Sequence, residues 1–127
     1  HKGKCRQPHG HHYRLEVSVR GVVKSGAVVS DAGMVVDFGD LKEILYKHVY
    51  SICDHRFMVY KKDDLFMSAI TQEIEEEFNY FVVDYIPTAE NINLWCVANI
   101  KKNLPMNLTL VSCRLYESKN HWVEWQV

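Results

Sequence analysis

The stretch Cys5-Arg6-Gln7-Pro8-His9-Gly10-His11-His12-Tyr13 sets a thiol and three imidazoles directly ahead of a strand pattern. In an extended chain, side chains two apart leave on the same face, so His9 and His11 point one way across Gly10 while His12 points the other. Two imidazoles so placed can chelate a metal. Zinc is the natural ion, because it takes nitrogen donors and two histidines need only one or two further ligands to complete a tetrahedron. Cys5, upstream of His9, strengthens that reading. A solvated His-rich terminus or a purification remnant is the competing explanation, since His-x-His alone is a weak signal.

These residues need a scaffold. Tyr13, Leu15, Val17 and Val19 alternate with Arg14, Glu16, Ser18 and Arg20, the period of a half-buried antiparallel strand. The segment from Val22 to Phe38, broken by Ser25-Gly26 and Ala32-Gly33, predicts a hairpin with a bulge or loop. Leu41, Ile44, Leu45, His48, Val49 and Ile52 form one stripe of a helix, capped by Asp37 or by Asp40 with Glu43. His48, lying in that stripe, reads as a core or interface residue. A short apolar run at Phe57–Tyr60 and a short helix from Leu65 to Ile74 precede a strand at Phe81–Val83. Thr88 caps a second long helix that ends near Asn103, and strands follow at Leu108–Tyr116 and around Trp122–Trp125. The order predicts an α+β fold with two long helices on one face of an antiparallel sheet. The polar face of the Tyr13 strand is expected to line the interior of a barrel or an oligomer interface.

The 127 residues are expected to form a single domain, and 47% hydrophobic residues suffice for a core. A formal net charge of −1 gives no global field for nucleic acid or an anionic membrane, so neither is expected as a partner. Cys5, Cys53, Cys96 and Cys113 lack the close spacing of a disulfide scaffold and read as thiols in a reducing compartment. With no apolar run of membrane-spanning length and no signal-peptide pattern, the expected location is the cytoplasm. The sequence opens at His1 without an initiator Met, and a strand upstream is expected to be missing from it.

Five ordered motifs then carry a resemblance. Lys4-Cys5-Arg6-Gln7-Pro8-His9-Gly10-His11, Gly33–Lys42, Asp54-His55-Arg56-Phe57, Pro87-Thr88-Ala89-Glu90-Asn91 and Tyr116-Glu117 resemble the family of 6-pyruvoyl- and 6-carboxy-tetrahydropterin synthases. The thiol placed close before His-Gly-His is similar to the 6-carboxy branch, which serves queuosine and other 7-deazapurine synthesis. The resemblance implies the tunnelling fold, a homo-oligomer (commonly a hexamer built as two trimers) whose sheets join into a barrel, and active sites between subunits. It implies 7,8-dihydroneopterin triphosphate as substrate and Zn²⁺ as cofactor. It assigns His9 and His11 to zinc, Cys5 to the general base, Asp54 and His55 to a proton relay, and Glu117 to the pterin. In the family a third zinc ligand is a histidine on a strand before the cysteine; His1 sits closer to Cys5 than that pattern wants.

The residue types suit those roles. Zinc on the substrate's side-chain oxygens stabilises developing negative charge. A thiol of ordinary pKa about 8.5 becomes available as thiolate when a cation lies near it. Asp54 beside His55 can orient the ring, provided the backbone turns there or the partner comes from another subunit. Glu117, at the end of an apolar strand whose face is taken to include Thr109, Val111, Cys113 and Leu115, can accept two neighbouring pterin N–H groups; a salt bridge is the alternative. Thr88 and Glu90 are further pterin contacts, although helix capping accounts for both. Cys53, Cys96, Cys113 and the three tryptophans read as packing. The reading is thus a lyase releasing triphosphate and acetaldehyde, with 6-pyruvoyl-tetrahydropterin synthase as one alternative and a catalytically silent pterin-binding or structural oligomer as another.

Overall fold

The structure, a computed structural model, describes residues 3–4, 7, 9–26, 30–70, 74 and 77–127. β1 (Arg14–Gly21) pairs antiparallel with β4 (Leu108–Tyr116), which pairs antiparallel with β5 (Trp122–Gln126), giving the sheet order β1-β4-β5. Alternation along β1 does what the sequence predicts, turning Leu15, Val17 and Val19 inward and Arg14, Glu16, Ser18 and Arg20 outward. Gly21 ends the strand by necessity, because a Cβ there would come within 2.8 Å of both Leu108 and Val35 side chains.

One helical run and one long helix cover the apolar face. The run is α1 (Phe38–Leu45), a π turn (Tyr46–Tyr50) and α2 (Ser51–Cys53), and Asp37 opens it by accepting from the Gly39 N–H at 2.6 Å. Of the two proposed caps, Asp37 is therefore the one used. The long helix α4 (Ala89–Asn103) starts at Thr88, whose side chain accepts from the Asn91 N–H at 3.4 Å. Val49 from the π turn, Ile92, Cys96, Val97 and Ile100 from α4, and Leu110, Cys113 and Leu115 from β4 form the core. Asn93, buried among them, donates from Nδ2 to the Cys113 carbonyl at 3.0 Å and so ties helix to strand through a polar bond.

Three expectations change. The segment after β1 forms no hairpin strand among its described residues; two bonds, Lys24 N–H to the Met34 carbonyl and Gly33 N–H to the Lys24 carbonyl, both 2.9 Å, replace the ladder, and Lys24 pairs with Asp31. Residues 27–29 of that segment lie outside the described residues, as do most of the glutamates of the run at 73–77. Second, β2 (Phe57–Tyr60) and β3 (Tyr80–Val83) pair in parallel in a sheet of their own, with α3 (Asp64–Ala69) in the crossover that parallel pairing requires. Third, the alternation of β4 breaks: Ser18 pairs with Ser112 but Val19 with Leu110, so Val111 bulges. Leu108 and Leu110 face inward before the bulge, Cys113 and Leu115 after it, and Thr109 does not share their face.

Ile100 is fully buried at the centre of the core. Ile100→Ala is expected to cost about 2–5 kcal/mol of unfolding free energy in urea titration, and a loss below about 1 kcal/mol would contradict this packing.

Candidate functional site

The pairing of Arg14 with Tyr116 brings the residues just before β1 beside the residue just after β4. There the two imidazoles meet: His9 Nε2 and His11 Nε2 are 2.9 Å apart, with ring centroids at 4.6 Å and planes at 75°. Glu117 Oε1 lies 3.5 Å from the same His11 nitrogen. His9 Nδ1 donates to the Gln7 carbonyl at 2.6 Å, which makes Nε2 the nitrogen that carries the lone pair, here turned toward His11 Nε2. Tyr13 closes the group from the next same-face position, its ring 5.7 Å from that of His11. Burial and then the negative charge of Glu117 raise the Tyr13 phenol above its ordinary pKa.

This arrangement fits zinc as two of its ligands. Ligand bonds of about 2.0–2.1 Å in a tetrahedron set nitrogens about 3.3 Å apart, so the observed 2.9 Å pair needs to open only slightly. Among the described residues no group of three His, Cys, Asp or Glu side chains is placed to hold a metal. Cys5 and His1 lie outside the described residues.

Asp54 and His55 form a second group. Asp54 leaves α2 with an extended ψ of 130°, and His55 then takes a left-handed φ of 54°. The backbone thus turns between them, the condition under which neighbours can face each other, and His55 Nδ1 lies 3.0 Å from Asp54 Oδ2. The His55 side chain is 90% exposed. Among the described residues no hydrogen bond or ion pair joins this pair to His9, His11 or Glu117. Thr88 is engaged by its capping bond, and Glu90 is exposed in the first turn of α4. The structure therefore brings His9, His11 and Glu117 together, and Asp54 with His55, as two separate groups on one chain.

Tyr13 and Tyr50 are site neighbours that sequence reasoning passed over. Tyr13 was legible: His9, His11 and Tyr13 share one period-two face. Tyr50 lies one turn before Asp54, whose N–H donates to the Tyr50 carbonyl at 2.8 Å.

The sequence profile described as 6-pyruvoyl tetrahydropterin synthase matches residues 1–126. A Haemophilus influenzae protein named 6-carboxy-5,6,7,8-tetrahydropterin synthase is 33% identical over 127 residues, covering 99% of this chain and 86% of its own length. The human 6-pyruvoyl tetrahydrobiopterin synthase is 27% identical over 126 residues, covering 98% of this chain and 71% of its own. Among solved structures, an uncharacterized protein from Wolinella succinogenes superposes with a TM-score of 0.72 at 21% identity over 96% of this chain and 80% of its own. The 6-pyruvoyl tetrahydropterin synthase of Plasmodium vivax gives 0.63 at 17% identity over 94% and 82%.

The remaining thiols are not poised for chemistry. Burial pushes Cys53 and Cys113 up to about 11 and Cys96 higher still. At pH 8 all three are expected to alkylate at least about tenfold more slowly than a free cysteine of pKa about 8.5, with rates climbing as pH rises toward 11. Mass-spectrometric mapping of iodoacetamide adducts checks this, and rapid labelling of Cys53 at pH 8 would contradict it.

Proposed function

The chain belongs to the 6-pyruvoyl tetrahydropterin synthase family, and on that premise we propose that it is a zinc-dependent lyase converting 7,8-dihydroneopterin triphosphate to 6-carboxy-5,6,7,8-tetrahydropterin. One water is consumed, triphosphate and acetaldehyde are the other products, and the reaction serves queuosine and related 7-deazapurine synthesis. The observation that carries this reading is the convergence of His9 Nε2, His11 Nε2 and Glu117 Oε1. Greater likeness to the Haemophilus 6-carboxy enzyme than to the human 6-pyruvoyl enzyme supports the choice of product.

Zinc, when bound, supplies a Lewis acid for the substrate's side-chain oxygens. His9 and His11 would hold it, and the Gln7 carbonyl keeps His9 in the tautomer whose Nε2 carries the lone pair. Glu117 accepts the pterin's adjacent N–H groups. Its place 3.5 Å from His11 puts the ring's anchor and the metal ligands within one substrate's reach. Cys5 takes the proton from the carbon beside the ring. Asp54 fixes the His55 ring through Nδ1, so that Nε2 is the nitrogen that exchanges protons with substrate.

A relay whose imidazole is 90% exposed on one chain needs a wall, because exposed charge pairs are screened and weak. We place that wall on a neighbouring subunit of a hexamer, two trimers with sheets joined in a barrel, so that the two groups of one chain serve different sites. The outward face of the sheet, where Arg14 pairs with Glu16 at 3.2 Å and Arg114 with Glu124 at 3.2 Å, then faces the barrel interior. No helix among the described residues is long and apolar enough to cross a membrane. The proposed place of the enzyme is the cytoplasm.

Incubation with 7,8-dihydroneopterin triphosphate is expected to yield triphosphate together with trapped acetaldehyde. Triphosphate without acetaldehyde would favour the 6-pyruvoyl product, and neither would favour a silent pterin-binding oligomer. Glu117→Gln is expected to raise KM by tenfold or more, about 1.4 kcal/mol or greater, by removing a charged acceptor.

A further inference from the structure

On the outward face of the sheet six side chains form two rows across the three strands. Arg14, Tyr116 and Trp122 lie directly opposite one another in the row at the end of the sheet, and Glu16, Arg114 and Glu124 in the next. Tyr116 ties the two rows together. The Arg14 guanidinium carbon sits 3.9 Å from the centre of its ring, and the Trp122 ring flanks it at 6.3 Å between centroids. Its hydroxyl accepts from Arg114 Nη1 and donates to Glu16 Oε2, each at 3.3 Å. Arg114 is held in turn: Nη2 donates to both Glu124 carboxylate oxygens at 3.2 Å, and Cζ lies 4.2 Å from the centre of the Trp122 ring. Cross-strand pairs of this kind are the unit by which side chains fasten a sheet, and here every member touches at least one other.

We infer that Tyr116 is a positioning residue for Glu117: its ring and hydroxyl, held on the outward face by Arg14, Glu16 and Arg114, keep the next residue's carboxylate directed at His11. This rests on the pterin-anchoring role proposed above for Glu117. Successive side chains of a strand leave on opposite faces, so a Tyr116 ring fixed outward fixes Glu117 on the other face, where His11 meets it. The fastening is needed at this place. On the β1 side the ladder ends with the Arg14–Tyr116 pair, and one step further Glu117 is joined to the neighbouring strand by its N–H bond to the His121 carbonyl, 3.0 Å. Strand ends open easily unless side chains tie them down. A carboxylate that accepts two adjacent N–H groups must stand in one place, and a strand end that frays would spread it over several. Because the Tyr116 side chain lies on the face away from His11 and Glu117, it acts on the pterin through Glu117 and not by contact.

The test is a double-mutant cycle read by calorimetric titration of the zinc-loaded protein with 7,8-dihydroneopterin, which needs no turnover. Glu117→Gln is expected to raise Kd tenfold or more, by about the factor expected of KM. Tyr116→Leu, which removes both the ring under Arg14 and the hydroxyl, is expected to raise Kd about fivefold to tenfold while kcat with the triphosphate substrate stays within about twofold of the parent. Added to Glu117→Gln, the same substitution should change Kd by less than about twofold, because the carboxylate it positions is gone. A general loosening of the fold would instead repeat its full loss on that background. Unchanged Kd in Tyr116→Leu, or a loss repeated in the double variant, overturns the inference and leaves the Glu117 anchor standing. Unchanged Kd in Glu117→Gln overturns both. Where Tyr116→Leu yields no folded protein, Tyr116→Phe decides through the same cycle: it keeps the ring, removes the two hydroxyl bonds, and is expected to raise Kd about twofold to threefold with Glu117 present and not with Gln in its place. An unchanged Kd there overturns the inference.

Discussion

The antiparallel register of β1 on β4 is the constraint on which the site depends. Arg14 opposite Tyr116 fixes that the chain entering β1 runs beside the chain leaving β4, and so His11 meets Glu117 from the far end of the sequence. Because side chains alternate, a slip of one residue would turn Leu15 and Val17 to water and send the entering imidazoles to the wrong side of the sheet. The buried face prevents that slip. Leu115 and Cys113 opposite Leu15 and Val17 on the neighbouring strand, packed on α4, make the alternative registers costly, so the hydrophobic pattern that stabilises the sheet also sets the geometry of the imidazole pair. Asn93 adds direction to this packing, since its bond to the Cys113 carbonyl locates α4 along the strand as apolar contact alone does not.

Much of this was legible in the residues. The alternation of β1, the stripe of the first helical run, the caps Asp37 and Thr88 and the end of the long helix at Asn103 are local signals, each written within a few residues. The same-face placement of His9 and His11 was legible for the same reason, since a two-residue period needs no tertiary information. What the sequence did not disclose is long-range or irregular. Parallel pairing of β2 with β3 depends on a crossover, not on either strand's composition. The Val111 bulge shifts the inward face of β4 midway, and alternation counted back from Glu117 misassigns Thr109 and Val111 to the core side. The π turn at Tyr46–Tyr50 leaves no mark in a stripe of apolar residues, which is why Tyr50 went unnoticed beside Asp54.

The division of the site residues into two groups on one chain has a physical reading. His9, His11 and Glu117 are gathered at the end of a rigid sheet, where positions are held by ladder hydrogen bonds, whereas Asp54 and His55 sit on the turn that ends a helix, strained into place by a left-handed residue. A metal-and-anchor group needs fixed distances, and a proton relay needs an exposed ring that can reach a neighbour. In the proposed assembly each group is completed by the other's copy, so the sheet and the turn perform different parts of one reaction on surfaces that meet only between subunits.

The central claim is that His9 and His11 hold a zinc ion beside Glu117. X-ray absorption at the zinc edge on protein loaded with one equivalent of zinc tests it most directly. The account predicts a shell containing at least two imidazole nitrogens at about 2.0–2.1 Å, with the imidazole contribution diminished in His9→Ala and in His11→Ala. A shell without imidazole, or one unchanged by both substitutions, would contradict it.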